Sequence, residues 1–275
     1  ITRVKQMDFF EEFIMKHTVS TWYEFQKVWS GNLNFLLSKE CVPFQFALPA
    51  PEVVIEAVRN DPDARITPGI RGESLNLNNI ADEFRKKALH EVMHSKFTMA
   101  HFKLANFYGK DQIFFGFEEQ VMGPWVKKLS EAGFTWERCY PILFISGPEC
   151  ATNYHMDQSH VVAWQMYGTK IFNSLRNPEF HSPLAERLQS VEFGNQKTVK
   201  PIDLQESEIL SYTMTPGTVL WNAFLTPHCV EASNGLSYSI NISHGGLRYK
   251  GKLCQHEQEL ENWRKEVAMK TTSSY

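Results

Sequence analysis

Apolar and polar positions change period near the middle of the chain. Over residues 1–135 apolar residues recur at three- and four-residue spacing. MDFFEEFIMKH (7–17) and TWYEFQKVWSGNLNFLL (21–37) read as amphipathic helices. Pro51 opens a further helix, PEVVIEAVR, at a first-turn position where its missing N–H costs nothing. Two more are predicted over Ile80–Lys96 and Phe117–Ala132, the latter stopped by Gly133. Between them Asn60–Asn79 is rich in Pro, Gly, Asn and Asp and reads as a loop or lid. From Tyr140 the period becomes two. YPILFIS, TNYHMD, HVVAWQM, KIFNSL, TVLWNA, CVEAS and LSYSINIS read as short strands, with YGT (167–169) as the turn of a hairpin. The tail LCQHEQELENWRKEVAMK (253–270) is a polar, weakly amphipathic helix. The expectation is an α+β fold: a jelly-roll core over 140–250, a mostly helical N-terminal half packed on it, and a C-terminal helix, all one catalytic domain over 1–275.

Composition narrows the classes. The 275 residues are 43% hydrophobic and 21% charged, ordinary globular material with enough chain for a real core. A net charge of −3 argues against a protein that wraps phosphate backbones. No apolar run reaches the length of a membrane span, and the first ten residues lack the pattern of a secretory signal. Cys41, Cys139, Cys150, Cys229 and Cys254 are odd in number and widely spaced, which suits reduced thiols in a cytoplasmic protein.

His155 and Asp157 stand two residues apart on an expected strand, so both side chains point to one face. His228, after the Pro216-Gly217 turn and one strand, is the natural third ligand. Two imidazoles and a carboxylate on one side of an iron leave three positions open, the facial triad of non-haem Fe(II) oxygenases. Taken alone, His155 reads equally well as a satisfied core histidine. Lys170 starts the strand after YGT, and a lysine aimed into a barrel needs a carboxylate. A bound dicarboxylate supplies one, and Thr152 at the strand entrance can share it. The bland alternative for Lys170 is a solvated hairpin residue.

These segments resemble a known family. TNYHMDQSHVVAWQMYGTK looks like the JmjC branch of the cupin-fold, 2-oxoglutarate-dependent Fe(II) oxygenases, with Thr152, His155, Asp157, Gly168 and Lys170 in the family's order. PGTVLWNAFLTPHCVEASNG resembles its proline-glycine strand and distal histidine, with His228 twelve residues past Pro216. Asn241 falls near the position where asparaginyl hydroxylases of the family place an Asn close to the metal. The resemblance covers roughly 140–245. It implies Fe(II) on His155, Asp157 and His228, 2-oxoglutarate on Lys170 and Thr152, and O2 as co-reactant, with succinate and CO2 formed as a C–H bond is oxidised. Gln165, Ser239 and Ser243 stand as neighbours of that site or as core hydrogen-bonding groups. Many members dimerise through terminal helices, so a homodimer is left open.

Other readings stay in view. His90-Glu91-Val92-Met93-His94 matches the HExxH signature of zinc peptidases, with His101, Glu118 or Glu119 as conceivable third ligands. A glycine is missing at Phe97, so the longer metzincin pattern fails. His160, His181 and His244 have no partner at ligand spacing and read as surface residues or neighbours of the site. Cys229 reads as buried filler. A binding module that has lost catalysis is the third class. The substrate expected is a small or sugar-containing molecule, because no basic tail or reader module accompanies the motif. A protein or histone side chain is the alternative. Phe114, Phe115 and Trp125 are candidates for pocket or core.

Overall fold

The structure, a computed structural model, describes residues 18–67, 77–192, 201 and 203–272. The predicted helix 7–17 and residues 68–76 of the predicted 60–79 loop lie outside them; of the rest of that loop, Arg65–Thr67 is a strand and Leu77 begins a helix. Strands run in chain order as β1 (Thr18–Val19), β2 (Phe35–Leu37), β3 (Arg65–Thr67), β4 (Thr98–His101), β5 (Phe134–Thr135), β6 (Arg138–Ser146) and β7 (His160–Tyr167). They continue as β8 (Lys170–Leu175), β9 (Ile209–Met214), β10 (Val219–Asn222), β11 (His228–Ala232), β12 (Ser237–Gly245), β13 (Arg248–Tyr249) and β14 (Lys252–Leu253). An eight-stranded sheet has the order β1-β2-β10-β7-β12-β6-β4-β3, and a three-stranded sheet the order β11-β8-β9. One cavity takes its walls from both, the arrangement of a jelly-roll core. Helix Gln255–Thr272 closes the described chain.

The N-terminal half is less helical than its periodicity predicts. Helix Trp22–Val28 is started by a capping box between Thr21 and Glu24, but it ends at Val28. Phe35–Leu37 then forms a strand antiparallel to β10. Asn32 and Asn34 around Leu33 favour leaving the helix, and the edge of β10 offers the FLL segment a hydrogen-bonding partner. The expected helix Ile80–Lys96 is two, Leu77–Lys86 and Leu89–His94. Pro51–Arg59 is helical as expected. So is Phe117–Ala132 in essence, as a π-turn Glu118–Met122 running into helix Gly123–Glu131. Gly133 follows at φ 87°, where glycine carries no steric cost.

Two expectations about the β half change. HVVAWQM and KIFNSL are not a hairpin: β7 pairs with β10 and β12, whereas β8 pairs with β9 and β11. The YGT turn therefore carries the chain from the large sheet to the small one. Gly168 takes φ 64°, and a Cβ there would lie 2.2 Å from the Leu236 carbonyl oxygen, so the crossing admits only glycine. TNYHMD is not a regular strand either. It touches β11 through two isolated bridges, Ala151 with Glu231 and His155 with His228.

Aromatic packing fixes the large sheet against the N-terminal helices. Phe25, Phe35, Trp125, Phe134 and Trp221 are fully buried, and the Phe25 ring meets Trp221 edge-on at 4.9 Å. Burying each phenylalanine side chain stabilises the fold by roughly 1.5–3 kcal/mol. Phe114 and Trp125 belong to this core, while Phe115 is 60% exposed. None of the three lines the cavity between the sheets.

Candidate active site

His155 and His228 face each other across the bridge and exchange both backbone hydrogen bonds, at 2.9 and 2.8 Å. That pairing sets their rings 4.2 Å apart, centroid to centroid. Each ring is also oriented from behind. Nδ1 of His155 lies 2.7 Å from the Asn153 carbonyl oxygen, and Nδ1 of His228 lies 2.9 Å from that of Thr226. A carbonyl only accepts, so each Nδ1 carries the proton and each Nε2 keeps its lone pair for a cation. Asp157 Oδ2 is 3.7 Å from His228 Nε2, and the ligand atoms of all three residues lie within 4.8 Å of one another. Burial and the His155 ring push His228 down to about 4, with Asp157 and the Thr226 carbonyl acting the other way, so the ring is neutral at physiological pH. The donor set, two imidazoles and a carboxylate with one side open, fits Fe(II).

The Asp157 carboxylate is itself held. Asn222 donates from Nδ2 to its Oδ2 at 2.8 Å. Phe172 stacks on the His228 ring at 4.7 Å with 10° between the planes. Neither residue was singled out in the sequence. The readable signal for Asn222 was an amide ending the otherwise apolar run Val219–Trp221, where a buried polar group needs a partner.

A cavity of about 670 Å³ extends from these ligands between the sheets. Lys170 lines it, buried, with Nζ 3.2 Å from Ser239 Oγ and 3.4 Å from the Phe144 carbonyl oxygen. No carboxylate pairs with it among the described residues, and burial lowers its ammonium pKa to about 7. It is not a solvated hairpin residue. Thr152 lines the same cavity, its backbone paired with Val230 and its Oγ1 accepting from Val230 N–H at 2.9 Å, which leaves the hydroxyl proton to donate. Asn241 lines it too, and its buried Oδ1 has no hydrogen-bond partner. Gln165, Ser239 and Ser243 line it as well. Gln165 is turned onto the Tyr167 and Gly168 carbonyls, and Ser243 onto Ser159.

No family model matches the chain, and no curated protein matches it in sequence. Solved structures do match it in shape. The crystal structure of the Escherichia coli ribosomal oxygenase YcfD aligns over 82% of this chain and 51% of that one, at 12% identity and a TM-score of 0.51. A second structure of the same oxygenase gives 0.50 over the same shares, again at 12% identity. The chain has the fold of that oxygenase. It spans about half its neighbour's length.

Within this fold the remaining histidines fall into place. His90 and His94 are exposed on a short helix, with His94 Nδ1 2.8 Å from the His90 carbonyl oxygen. Among the described residues two groups have ligand atoms close enough for a metal, and neither contains His90 or His94. His101, fully buried, pairs with Asp61 at 3.1 Å, and Glu118 and Glu119 are exposed. His160 and His244 are not surface residues. Both are fully buried beside Trp221, and His244 Nε2 accepts from Trp125 Nε1 at 2.7 Å. His181 is half-buried against Glu208. Cys229 is buried, as expected.

The second close group is His160, Cys254 and Glu257. His160 Nδ1 accepts from the Phe224 N–H at 3.2 Å, so in the neutral ring Nε2 bears the proton. Burial and the nearby histidines hold His160 well below the usual range, and burial pushes Cys254 up to about 12. A protonated Nε2 and a neutral thiol are poor ligands, so this group does not compete with the first.

Proposed function

We propose that the protein is a 2-oxoglutarate- and Fe(II)-dependent oxygenase that hydroxylates its substrate. The observation that carries this is one cavity holding two kinds of chemistry. At one end His155, Asp157 and His228 present three ligand atoms with both imidazole tautomers fixed. At the other a buried lysine has no carboxylate partner among the described residues. A binding module without catalysis has no need for that combination.

His155, His228 and Asp157 would hold Fe(II) from one side. Lys170 would take the far carboxylate of 2-oxoglutarate, with Thr152 donating its hydroxyl proton to the same group. Bound together, iron and 2-oxoglutarate supply oxidation of an unactivated C–H bond by O2, with release of succinate and CO2. Asn222 fixes the free rotation of Asp157, so the carboxylate is pre-oriented before metal arrives. Ile142, Val161, Ala163, Phe172 and Val230 give the cavity apolar walls that keep water off the reacting carbon. Asn241, with a buried oxygen unmatched, is placed to accept a proton donor from substrate or cosubstrate.

The substrate we propose is a small organic molecule. A cavity of about 670 Å³ that also takes 2-oxoglutarate leaves room for a small molecule beside it. It admits a single protein side chain equally, and the shared fold with a ribosomal oxygenase makes that the alternative. The test is succinate formed from 2-oxoglutarate by purified protein with Fe(II) and ascorbate under air, wild type beside Asp157→Ala. Slow turnover without substrate is expected in the wild type and none in the variant. A wild-type protein that binds neither iron nor 2-oxoglutarate would sink the proposal.

A further inference from the structure

The cavity has a charge imbalance that neither metal nor cosubstrate removes. Its charged lining residues are Arg65, Arg138, Lys170 and one acid, Asp157. In the proposed loaded state the two charges of Fe(II) offset those of 2-oxoglutarate, and Lys170 offsets Asp157. Two arginines remain. Arg65 lies over the Phe102 ring at 4.5 Å, a partner that needs no anion. Arg138 lines the cavity from an exposed position and has no ion pair or side-chain hydrogen bond among the described residues, and the neighbouring acid Glu137 is taken by Arg248 at 2.8 Å.

Arg138 is nevertheless placed. It pairs with Gly245 across β6 and β12, and a Cβ on Gly245 would lie 2.9 to 3.3 Å from its Nη2, Nε and Cζ. Gly245 is not at positive φ, so the backbone does not demand glycine there. What the missing side chain provides is room for the guanidinium to lie over the strand.

The register says where this cation stands. Lys170 contacts Ser239 and Phe144, which pair with each other. Further along the same strands Tyr140 pairs with Ser243, Ser243 with Val161, and Val161 with Asn222, which holds Asp157. Arg138 and Gly245 come next, one inward-facing step, or about 7 Å along the strand, beyond the row that includes Asn222. The lysine and the arginine thus lie on opposite sides of the proposed iron, the first at the cosubstrate end and the second at the substrate end.

We propose that Arg138 anchors an anionic group of the substrate, a carboxylate, phosphate or sulfate, about 7–10 Å from the oxidised carbon. This rests on the oxygenase reading for the meaning of "substrate", but the anion site itself is testable alone. Inorganic phosphate is titrated into protein loaded with Mn(II) and 2-oxoglutarate, and into ligand-free Lys170→Met, where the deeper cation is gone. Binding is read by calorimetry and by the Arg138 Nε–H resonance in a nitrogen–proton spectrum. The expected result is saturable millimolar binding that moves this resonance. Arg138→Met should weaken it about tenfold while Mn(II) affinity stays unchanged. Arg138→Lys should restore part of it. Glucose 6-phosphate and a blocked aspartyl peptide, run as further probes, separate a small-molecule anion from an acidic side chain by which binds tighter. Phosphate affinity equal in wild type and Arg138→Met, or no saturable binding in either preparation, overturns the proposal. Succinate formation without added substrate is measured alongside, so failure of the oxygenase reading is seen separately.

Discussion

Replacing Lys170 with methionine should make the ligand-free protein more stable and the 2-oxoglutarate-loaded protein less so. Burial lowers the Lys170 pKa from 10.5 to about 7. The unfolded lysine is protonated across that whole interval and the folded one is not. A depressed folded pKa means that the unfolded chain binds more protons, so stability rises as pH climbs from about 7 towards 10.5, and the cost of Lys170 is greatest at neutral pH and below. At about 1.4 kcal/mol per unit, the ceiling on that cost is on the order of 4–5 kcal/mol. Methionine keeps the length of the side chain and removes the charge. It also leaves the Ser239 hydroxyl and the Phe144 carbonyl without their contact, at about 1 kcal/mol or more each. The balance is a gain of roughly 1–3 kcal/mol, in line with replacement of buried charges by apolar groups elsewhere. In a chain of this size that is a rise in Tm of several degrees.

The loaded protein should behave in the opposite way. Cosubstrate at about a thousand times its Kd stabilises a binding-competent fold by ~4.1 kcal/mol. Lys170→Met has no cation for the far carboxylate and should lose most of that increment. Thermal melts of both proteins with Mn(II), with and without 2-oxoglutarate, give four curves whose order inverts on adding ligand. A variant less stable than wild type without ligand, yet shifted as much by 2-oxoglutarate, would refute both the burial argument and the assignment of Lys170.

Two shorter predictions follow from the groups behind the site. Asn222→Ala frees the Asp157 carboxylate to rotate and should weaken Mn(II) or Co(II) binding about 10–100-fold with the circular dichroism spectrum unchanged, as read by calorimetry. Burial pushes Glu257 up to about 7, against the opposing Gly246 N–H bond at 3.0 Å. A raised folded pKa gives stability that is complete below about 4.5 and lost as pH climbs through about 7, so the Tm of wild type should fall relative to that of Glu257→Gln over this window. His160, His244 and His256, all held down by burial, act in the reverse direction but are common to both proteins. Parallel Tm curves for the two proteins would show that Glu257 titrates normally.

What could be read in the sequence was decided by how local the determining physics is. His155, Asp157 and Lys170 lie within one segment of sixteen residues and line one cavity, though not by way of the strand that their spacing suggests. TNYHMD is not a strand, and its two ligands share a side because His155 is bridged to His228. That bridge joins residues 73 positions apart, and no local period reports it. The same holds for YGT. A tight glycine turn between two apolar runs looks like a hairpin whether the second run pairs with the first or leaves for another sheet. What decides it is the Leu236 carbonyl against Gly168, nearly seventy residues away. FLL at Phe35–Leu37 departs from its periodicity for a related reason. Its apolar spacing suits a helix, and only the open edge of β10 makes it a strand. The groups that orient the ligands, the Asn153 and Thr226 carbonyls, Asn222 and Phe172, were out of reach because backbone carbonyls have no sequence signature and Asn and Phe have ordinary core roles. A candidate ligand set is thus legible where chemistry restricts residue type. The tautomers that make it a ligand set come from contacts that any residue's backbone can supply, and those require the fold.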